Sequence, residues 1–336
     1  MRIGELDLNQ RVMVAAEIGN NHEGSYSLAQ EMILRAAQAG VDAVKFQTIV
    51  PERLVSPGEE KRLAMLRRFQ LSYEQFARLQ EVATNAGVLF LSTPFDLQSA
   101  GFLAPLVPAF KIASGDNNFF PLIDVIARTG KPIILSAGLA DLEDVRRTKG
   151  FIERIWTELG VDPGLAVLHC VVSYPTPAKD ANLLAIRKLA SLGVTVGYSD
   201  HTVGIEAAVL SVACGARIIE KHFTISKTYS DFRDHRLSAD PSDMADLVRR
   251  VRLAEEMLGS QEKRMLEAEQ PLALATRRSI VAARDLPAGT VLKWEHLDWL
   301  RPGGGLAPGR ESELLGRRLA CPVAKGKPLM PDHLQP

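Results

Sequence analysis

The 336-residue sequence has no excess charge of either sign: 40 Lys and Arg are matched by 40 Asp and Glu. That balance excludes a general field drawing in nucleic acid or an anionic membrane, so neither is an expected partner, and any bound anion needs a local cluster of cations. No apolar run approaches the ~20 residues that cross a bilayer, and the opening MRIGELDLNQ lacks the basic and then apolar pattern of a signal peptide. A cytoplasmic protein is expected. Cysteine is scarce: Cys170, Cys214 and Cys321 stand far apart with no C-x-x-C pair, which argues against a disulfide framework or zinc knuckle and for buried free thiols. No G-x-G-x-x-G follows any strand-like run, which lowers the case for dinucleotide binding.

What is present is a repeated unit. From Val12 to about Gly259, a short β-rich run, a polar loop and an amphipathic helical stretch recur. The runs are VMVAAEIG, AVKFQ, VLFLSTP, AFKIAS, IILSAG, AVLHCVVS, VTVGYSD and RIIEKHF. Helices are expected over Leu28 to Ala39, Tyr73 to Ala86, Leu142 to Leu159, Leu183 to Ser191, Ile205 to Cys214 and Asp243 to Leu258. Strand-helix units in this number over roughly 250 residues predict a closed (β/α)8 barrel, with a doubly wound open sheet as the alternative. After Gly259 the character changes. Residues 260–276 read as a polar, Glu-rich linker, and 277–336 as a small, turn-rich β domain punctuated by Pro-Ala-Gly, Arg-Pro-Gly-Gly-Gly and Lys-Gly-Lys-Pro.

In such a barrel the chemistry lies at the carboxyl ends of the strands. His201 closes VTVGYSD and His222 closes RIIEK, so the parallel unit between them brings both imidazoles to one edge, side by side. They are half of a divalent-metal site, or else one caps a loop while the other packs. The other ends offer Glu17, Lys45 with Gln47, Ser92 with Thr93, Lys111 with Ser114, Ser136, Ser173 with Tyr174, Ser199 with Asp200, and Glu220 with Lys221. Residues two apart share a strand face, which pairs Lys45 with Gln47 and Glu220 with His222 and turns Lys221 outward. Two lysines and several hydroxyls on one rim form an anion site, so a phosphorylated or carboxylated substrate polarised by a divalent ion is expected. Lys131 enters its strand at the other end and is assigned to structure. His22, in GNNHEGS, is read as a hydrogen-bonded turn residue, His169 as a core residue, and Asp234 and His235 as able to reach the rim from their loop.

Taken in order, AEIGNNHEG, AVKFQT, STPFD, KIASGD, YPTP, GYSDHT and EKHF resemble the sialic-acid synthase family over almost the whole chain, and the tail resembles its antifreeze-like SAF domain. The resemblance implies condensation of phosphoenolpyruvate with N-acetylmannosamine or a related acylated amino sugar to a nine-carbon 2-keto acid. It implies His201 and His222 as metal ligands. Lys45, Thr93, Lys111, Ser114, Ser136 and Ser199 then surround phosphoenolpyruvate, and Glu17, Gln47, Tyr174, Asp234 and Arg301 stand near the acceptor sugar. It also implies a swapped homodimer in which the loop bearing Arg301 closes over the partner's site. Two features depart from the family: Val172 replaces an asparagine of the C-T-N-x-Y-P pattern, and the segment after Arg53 is shorter than the usual acceptor-binding loop.

The leading expectation is therefore a synthase using Mn²⁺ or Mg²⁺, with Glu17 activating water or orienting the aldehyde, and Lys45, His201 and His222 as the other catalytic residues. Two rivals are weighed against it. One is a Schiff-base aldolase working through Lys45 or Lys111, which needs no metal; the other is a barrel without activity that binds carbohydrate or serves assembly.

Overall fold

A computed structural model describes residues 1–336 as two compact units, Met1–Gly259 and Ser260–Pro336. The first opens with a short hairpin, β1 (Arg2–Ile3) and β2 (Leu6–Asp7). Eight parallel strands follow: β3 (Met13–Gly19), β4 (Ala43–Thr48), β5 (Leu89–Pro94), β6 (Phe110–Ile112), β7 (Ile133–Ser136), β8 (Leu165–Cys170), β9 (Thr195–Asp200) and β10 (Ile218–His222). Their ladder runs β5-β4-β3-β10-β9-β8-β7-β6, and β6 lies against β5, so the ring nearly closes as a (β/α)8 barrel. The eight expected runs supply the eight strands.

Helices α1 (Tyr26–Gln38), α4 (Tyr73–Asn85), α5 (Leu97–Leu103), α6 (Phe120–Ala127), α7 (Leu142–Leu159), α8 (Ala185–Ala190), α9 (Glu206–Ala213) and α11 (Pro241–Leu258) alternate with the strands. Those with clear end signals match the sequence reading to within about two residues. Ser72 and Gln75 form a capping box on α4, Asp141 and Asp144 another on α7, and Gly160 ends α7 in the left-handed region. The reading missed α5 and α6, which are short, and also α2 (Pro51–Leu54) and α3 (Glu60–Phe69) after β4. Helix α3 is mostly charged. It is held through Leu63 and Leu66, which join Ile49 and Val55 in a small apolar cluster of their own.

The two-residue period of the strands sorts the barrel into layers. Outward residues such as Val14, Val44, Phe90, Ile112, Val167 and Ile219 form the main core beneath the helices. Inward residues at the strand beginnings, among them Met13, Ala43, Leu91, Ile134, Leu168 and Ile218, fill the lumen with Ile3 and Leu8 of the amino-terminal segment. Further along the same inward faces stand Glu17, Lys45, Thr93, Lys111, Ser136, Ser199 and Glu220. The lumen is thus apolar at one end and polar at the other. Gly197 marks the tight point, because a Cβ there would lie 2.4 Å from the Ile218 carbonyl oxygen and 2.5 Å from Leu168 Cδ2.

The second unit has its own core, including Ile280, Leu292, Leu314 and Leu329, around the antiparallel pair β11 (Ser279–Ala282) and β12 (Leu297–Leu300). The segment read as a linker is not wholly extended. It contains a single helical turn at Glu267–Glu269 and α12 (Gln270–Thr276), whose Leu274 carbonyl accepts from the Gly303 amide at 2.7 Å.

Lys221 points outward, as its position between Glu220 and His222 predicts. Fully buried, its Nζ donates to Asp200 Oδ2 at 3.0 Å and to the Thr202 carbonyl at 2.5 Å. Lys221→Met leaves a buried carboxylate without its cation, and this is expected to cost about 3 to 5 kcal/mol of stability. A lowered denaturant midpoint at unchanged slope checks it; a loss below about 1 kcal/mol, the range of exposed pairs, would contradict the closed-pair reading.

Candidate active site

The polar end of the lumen opens into a cavity of about 1020 Å³ lined by residues of the first unit only. The barrel residues that the family resemblance implies all border it: Glu17, Lys45, Gln47, Thr93, Lys111, Ser114, Ser136, Tyr174, Ser199, His201, His222 and Asp234. Arg301 belongs to the second unit, where its side chain is exposed and forms no ion pair.

At the base of the cavity lies a buried ionic cluster. Lys45 Nζ stands 2.7 Å from Glu17 Oε2, without hydrogen-bond alignment, and donates to Thr93 Oγ1 at 3.2 Å. Gln47 Nε2 donates to the other Glu17 oxygen at 2.8 Å, so Lys45 and Gln47 share a face as their spacing predicts. Glu220 is the hub on the opposite side, with Oε2 3.7 Å from Lys45 and 3.8 Å from Lys111 and Oε1 accepting from Ser199 at 2.9 Å. Lys111 also donates to Ser136 Oγ at 2.7 Å. Glu220 was noted in the sequence only as a strand end beside His222, yet it holds two ammonium groups.

Electrostatics separate the two carboxylates. Burial pushes Glu17 above the usual carboxylate range against the pull of Lys45. Glu220 is also buried, but Lys111 and Lys45 outweigh that effect and bring it down to about 2. Burial lowers Lys111, only partly opposed by Glu220, whereas Glu17 and Glu220 together overcome burial at Lys45 and raise it. The site therefore combines a carboxyl that takes up a proton readily with a lysine whose charge is weakly held.

The histidines meet above this cluster, their ring centres 5.4 Å apart. Burial lowers each to about 4, aided at His201 by its neighbour His222 and opposed at His222 by Asp234. Both are neutral imidazoles near pH 7. His201 Nδ1 lies 2.8 Å from the Val171 carbonyl, which fixes the proton on that nitrogen and leaves Nε2 with a free lone pair. Buried His222 Nδ1 has no hydrogen-bond partner. Two neutral imidazoles, one oriented from behind and one with an orphaned nitrogen, fit a contribution of two nitrogen ligands to a divalent ion. No third His, Cys, Asp or Glu completes a metal cluster.

Tyr174 lies against His201, ring centres 4.1 Å apart, and the Arg233 guanidinium sits 4.5 Å over the tyrosine ring. Asp234 borders the cavity and accepts from Arg233 Nε at 2.9 Å. His235, expected to reach the rim, is instead fully buried behind it. Of the remaining candidates, Ser92 and Asp200 face outward, Ser92 pairing with Thr48 at 2.7 Å, while Ser114 Oγ accepts from the Gly138 amide at 3.1 Å. His22 accepts from the Gly24 amide at 3.0 Å, His169 Nε2 pairs with the Ala181 carbonyl at 2.9 Å, and Lys131 donates to the Val107 carbonyl at 2.7 Å. These bear out a turn, a core and a structural role. Of the free cysteines, Cys170 is buried at the cavity, while Cys214 and Cys321 are half-buried.

Sequence reasoning missed the wall above the rim. Ile49, Leu54, Met65, Leu66, Phe69 and Phe95 from the β4 and β5 sides, with Phe232, make it largely apolar, and Arg62, Arg68 and Arg233 edge it. Val172 also borders the cavity, and only a glycine at 138 allows Val172 and Ser114 to close there, since a Cβ would lie 2.6 Å from each.

Comparison with known proteins places these features in a family. A model described as the NeuB family matches residues 32–263, and one described as the SAF domain matches residues 277–335. The N,N'-diacetyllegionaminic acid synthase of Legionella pneumophila is 39% identical over 96% of this chain and 94% of its own length. The N-acetylneuraminate-9-phosphate synthase of Mus musculus is 32% identical over 96% and 92%. A crystal structure of N-acetylneuraminic acid (sialic acid) synthetase from Leptospira borgpetersenii, in complex with citrate, superposes with a TM-score of 0.76 at 33% identity, covering 81% of this chain and 94% of that one.

Glu220→Gln removes the anion 3.8 Å from Lys111 while leaving Lys45 its partner Glu17. Losing a nearby negative charge disfavours the ammonium form, so the Lys111 pKa is expected to fall further. The pH profile of Lys111 acylation, read by mass spectrometry, should move to lower pH. An unmoved profile would remove Glu220 as its counter-ion.

Proposed function

We propose, from the premise that this chain belongs to the NeuB family and is a sialic-acid-type synthase, that it condenses phosphoenolpyruvate with an N-acylated amino sugar and requires a divalent metal ion. The observation that carries this reading is the convergence of two buried lysines, a ring of hydroxyls and two neutral histidines on one cavity. Lys45, Lys111, Thr93, Ser114, Ser136 and Ser199 suit the phosphate and carboxylate of phosphoenolpyruvate, the lysines as point charges and the hydroxyls as directional donors. Mn²⁺ or Mg²⁺ bound through His201 and His222, with oxygens of substrate or water completing the shell, would polarise the acceptor's aldehyde.

The chain's own residues do the rest. C3 of phosphoenolpyruvate bonds to the aldehyde carbon, whose oxygen takes up a proton to become a hydroxyl; water oxygen adds at C2, and the C2–O bond to phosphate breaks as the second water proton leaves with the phosphate, giving a 2-keto acid and inorganic phosphate. Glu17 is the group suited to take the water proton, because its carboxyl is the one whose pKa burial raises. Gln47, Tyr174 and Asp234 line the acceptor side, where the apolar wall favours acyl methyls over unpaired hydroxyls, which lose hydrogen bonds against such a surface. That preference points to N-acetylmannosamine or a diacetamido relative. The Schiff-base alternative has one feature in its favour, the lowered pKa of Lys111.

Phosphate release and product mass, followed with phosphoenolpyruvate, Mn²⁺ and a panel of acylated amino sugars, test the reading. Turnover should need both substrates, stop with a chelator, and fall at least about 100-fold in His201→Ala and His222→Ala, a loss typical of removing a principal catalytic interaction. Chelator-resistant turnover with borohydride trapping of pyruvate on Lys111 would favour the aldolase.

The same reading includes a swapped homodimer in which Arg301 of each chain serves the partner's cavity. Its support is the glycine- and proline-rich setting of Arg301, in WLRPGGGLAPG, and the exposure of its guanidinium. Mixing His222→Ala with Arg301→Ala should restore activity that neither variant has, because one site in a mixed dimer regains both residues. No recovery after demonstrated subunit exchange would assign Arg301 to its own chain or to no catalytic role.

A further inference from the structure

The segment that carries Arg233 and Asp234 over the cavity has little means of holding itself in place. Its helix α10 (Arg233–Leu237) has five residues, far below the length at which a helix is stable alone. Leu237 is buried beneath it, Phe232 lies against Phe69 with ring centres 5.0 Å apart, and Ser238 Oγ donates to the Asp234 carbonyl. The residue that ties it to the neighbouring loops through a carboxylate, however, is His235, fully buried behind the rim. The His235 Nδ1 lies 2.7 Å from the Thr224 hydroxyl, and its Nε2 lies 3.1 Å from Glu23 Oε1. Glu23 Oε1 also accepts from the Ser230 hydroxyl, and that hydroxyl in turn accepts from the Phe232 amide at 3.0 Å. The other Glu23 oxygen meets Arg68 Nη2 of α3 at 3.4 Å.

One carboxylate thus joins three loops of the rim: that after β3, the α3 insertion after β4, and the segment after β10. The backbone around it is committed to this task. Glu23 adopts φ +47°, a left-handed conformation disfavoured for side-chain-bearing residues, and Gly24 lies so close to α3 that a Cβ would stand 2.1 Å from the Arg68 carbonyl oxygen. Asn21 reinforces the same junction by donating to the Phe223 carbonyl at 2.8 Å and to Ser238 Oγ at 3.0 Å.

We propose that Glu23 and His235 are positioning residues for the acceptor side of the site: they clasp residues 224–237 so that Arg233 lies on Tyr174 and Asp234 faces the cavity. This rests on the reading that the cavity takes a second substrate beside the anion. The anion side is built from strand residues and from Ser114 in the turn after β6, none of which hydrogen-bonds to Glu23 or His235. Loss of the clasp therefore separates the two substrates.

The test uses Glu23→Gln, which keeps the shape and removes the charge, together with His235→Ala and His235→Gln, the latter retaining an amide donor toward Glu23. Losing a charged hydrogen-bond acceptor is expected to raise the acceptor KM about tenfold or more. The KM for phosphoenolpyruvate should stay within about twofold, additivity being the rule for groups without shared partners. His235→Gln should recover part of what His235→Ala loses. Independently of turnover, hydrogen exchange of amides in 224–240 should accelerate in Glu23→Gln while the barrel strands stay protected. Equal rises in both KM values, or unchanged exchange in 224–240, would overturn the positioning role. Absence of phosphate release by the unaltered protein with every acceptor would instead overturn the parent reading, and the exchange measurement would still decide the clasp.

Discussion

Two ammonium groups and two carboxylates share the mouth of the barrel, each buried to more than nine-tenths, and the site is arranged around that constraint. At separations of 2.7 to 3.8 Å, each opposite pair attracts by about 4 to 6 kcal/mol at an effective dielectric near 20. Desolvating four charges costs several kcal/mol apiece, so the cluster persists only because each charge has an opposite within reach and a neutral hydrogen-bonding group beside it. Thr93 serves Lys45, Ser136 serves Lys111, Gln47 serves Glu17 and Ser199 serves Glu220. The hydroxyls suited to a substrate anion are thus the ones that make the buried charges tolerable, which ties site composition to fold stability.

The alternation of strand faces confines this arrangement to one end. Ala15 precedes Glu17 by two residues, Ala43 precedes Lys45, Leu91 precedes Thr93, Ile134 precedes Ser136 and Ile218 precedes Glu220. Each strand therefore changes from a packed to a polar lumen within a single step along one face. Outward neighbours such as Val44, Phe46 and Ile219 keep the helical layer anchored throughout. A one-residue slip in any strand would exchange the two sets, so the register that builds the core also aims the chemistry.

This alternation is why so much was legible without coordinates. Period-two runs identified the strands, their last inward residues identified most of the cavity floor, and Lys221 could be assigned outward from parity alone. Parity also shows where the reading stopped short. Ser92 and Asp200 belong to the outward set, and Glu220 belonged with Lys45 and Lys111, but the sequence cannot say which inward groups stand close across the lumen. Loop geometry was less accessible still. Nothing local distinguishes Asp234, which borders the cavity, from His235, which turns away, because a five-residue helix carries no usable period. The charged α3 was missed because its three buried residues, Leu63, Leu66 and Phe69, are too few to mark a helical face.

The molecule contains two kinds of buried lysine pairing, and their geometry separates architecture from chemistry. Lys221 and Asp200 are wholly enclosed at 3.0 Å, with the Thr202 carbonyl and amide taking up further hydrogen bonds of the lysine and the aspartate. Neither side chain reaches the surface, so solvent cannot exchange for either partner. Lys111 has a different situation: its nearest carboxylate is 3.8 Å away, burial already weakens its charge, and it borders open volume. Because Coulomb attraction falls with distance, Glu220 holds Lys111 less firmly than Glu17 holds Lys45 at 2.7 Å. An anion entering the cavity therefore displaces less at Lys111 than at Lys45, and the hydroxyl of Ser136 is already at hand there, 2.7 Å from the same nitrogen. Lys45, by contrast, remains tied to Glu17, which keeps the carboxyl of raised pKa at the same cavity as Lys111 and the histidine pair.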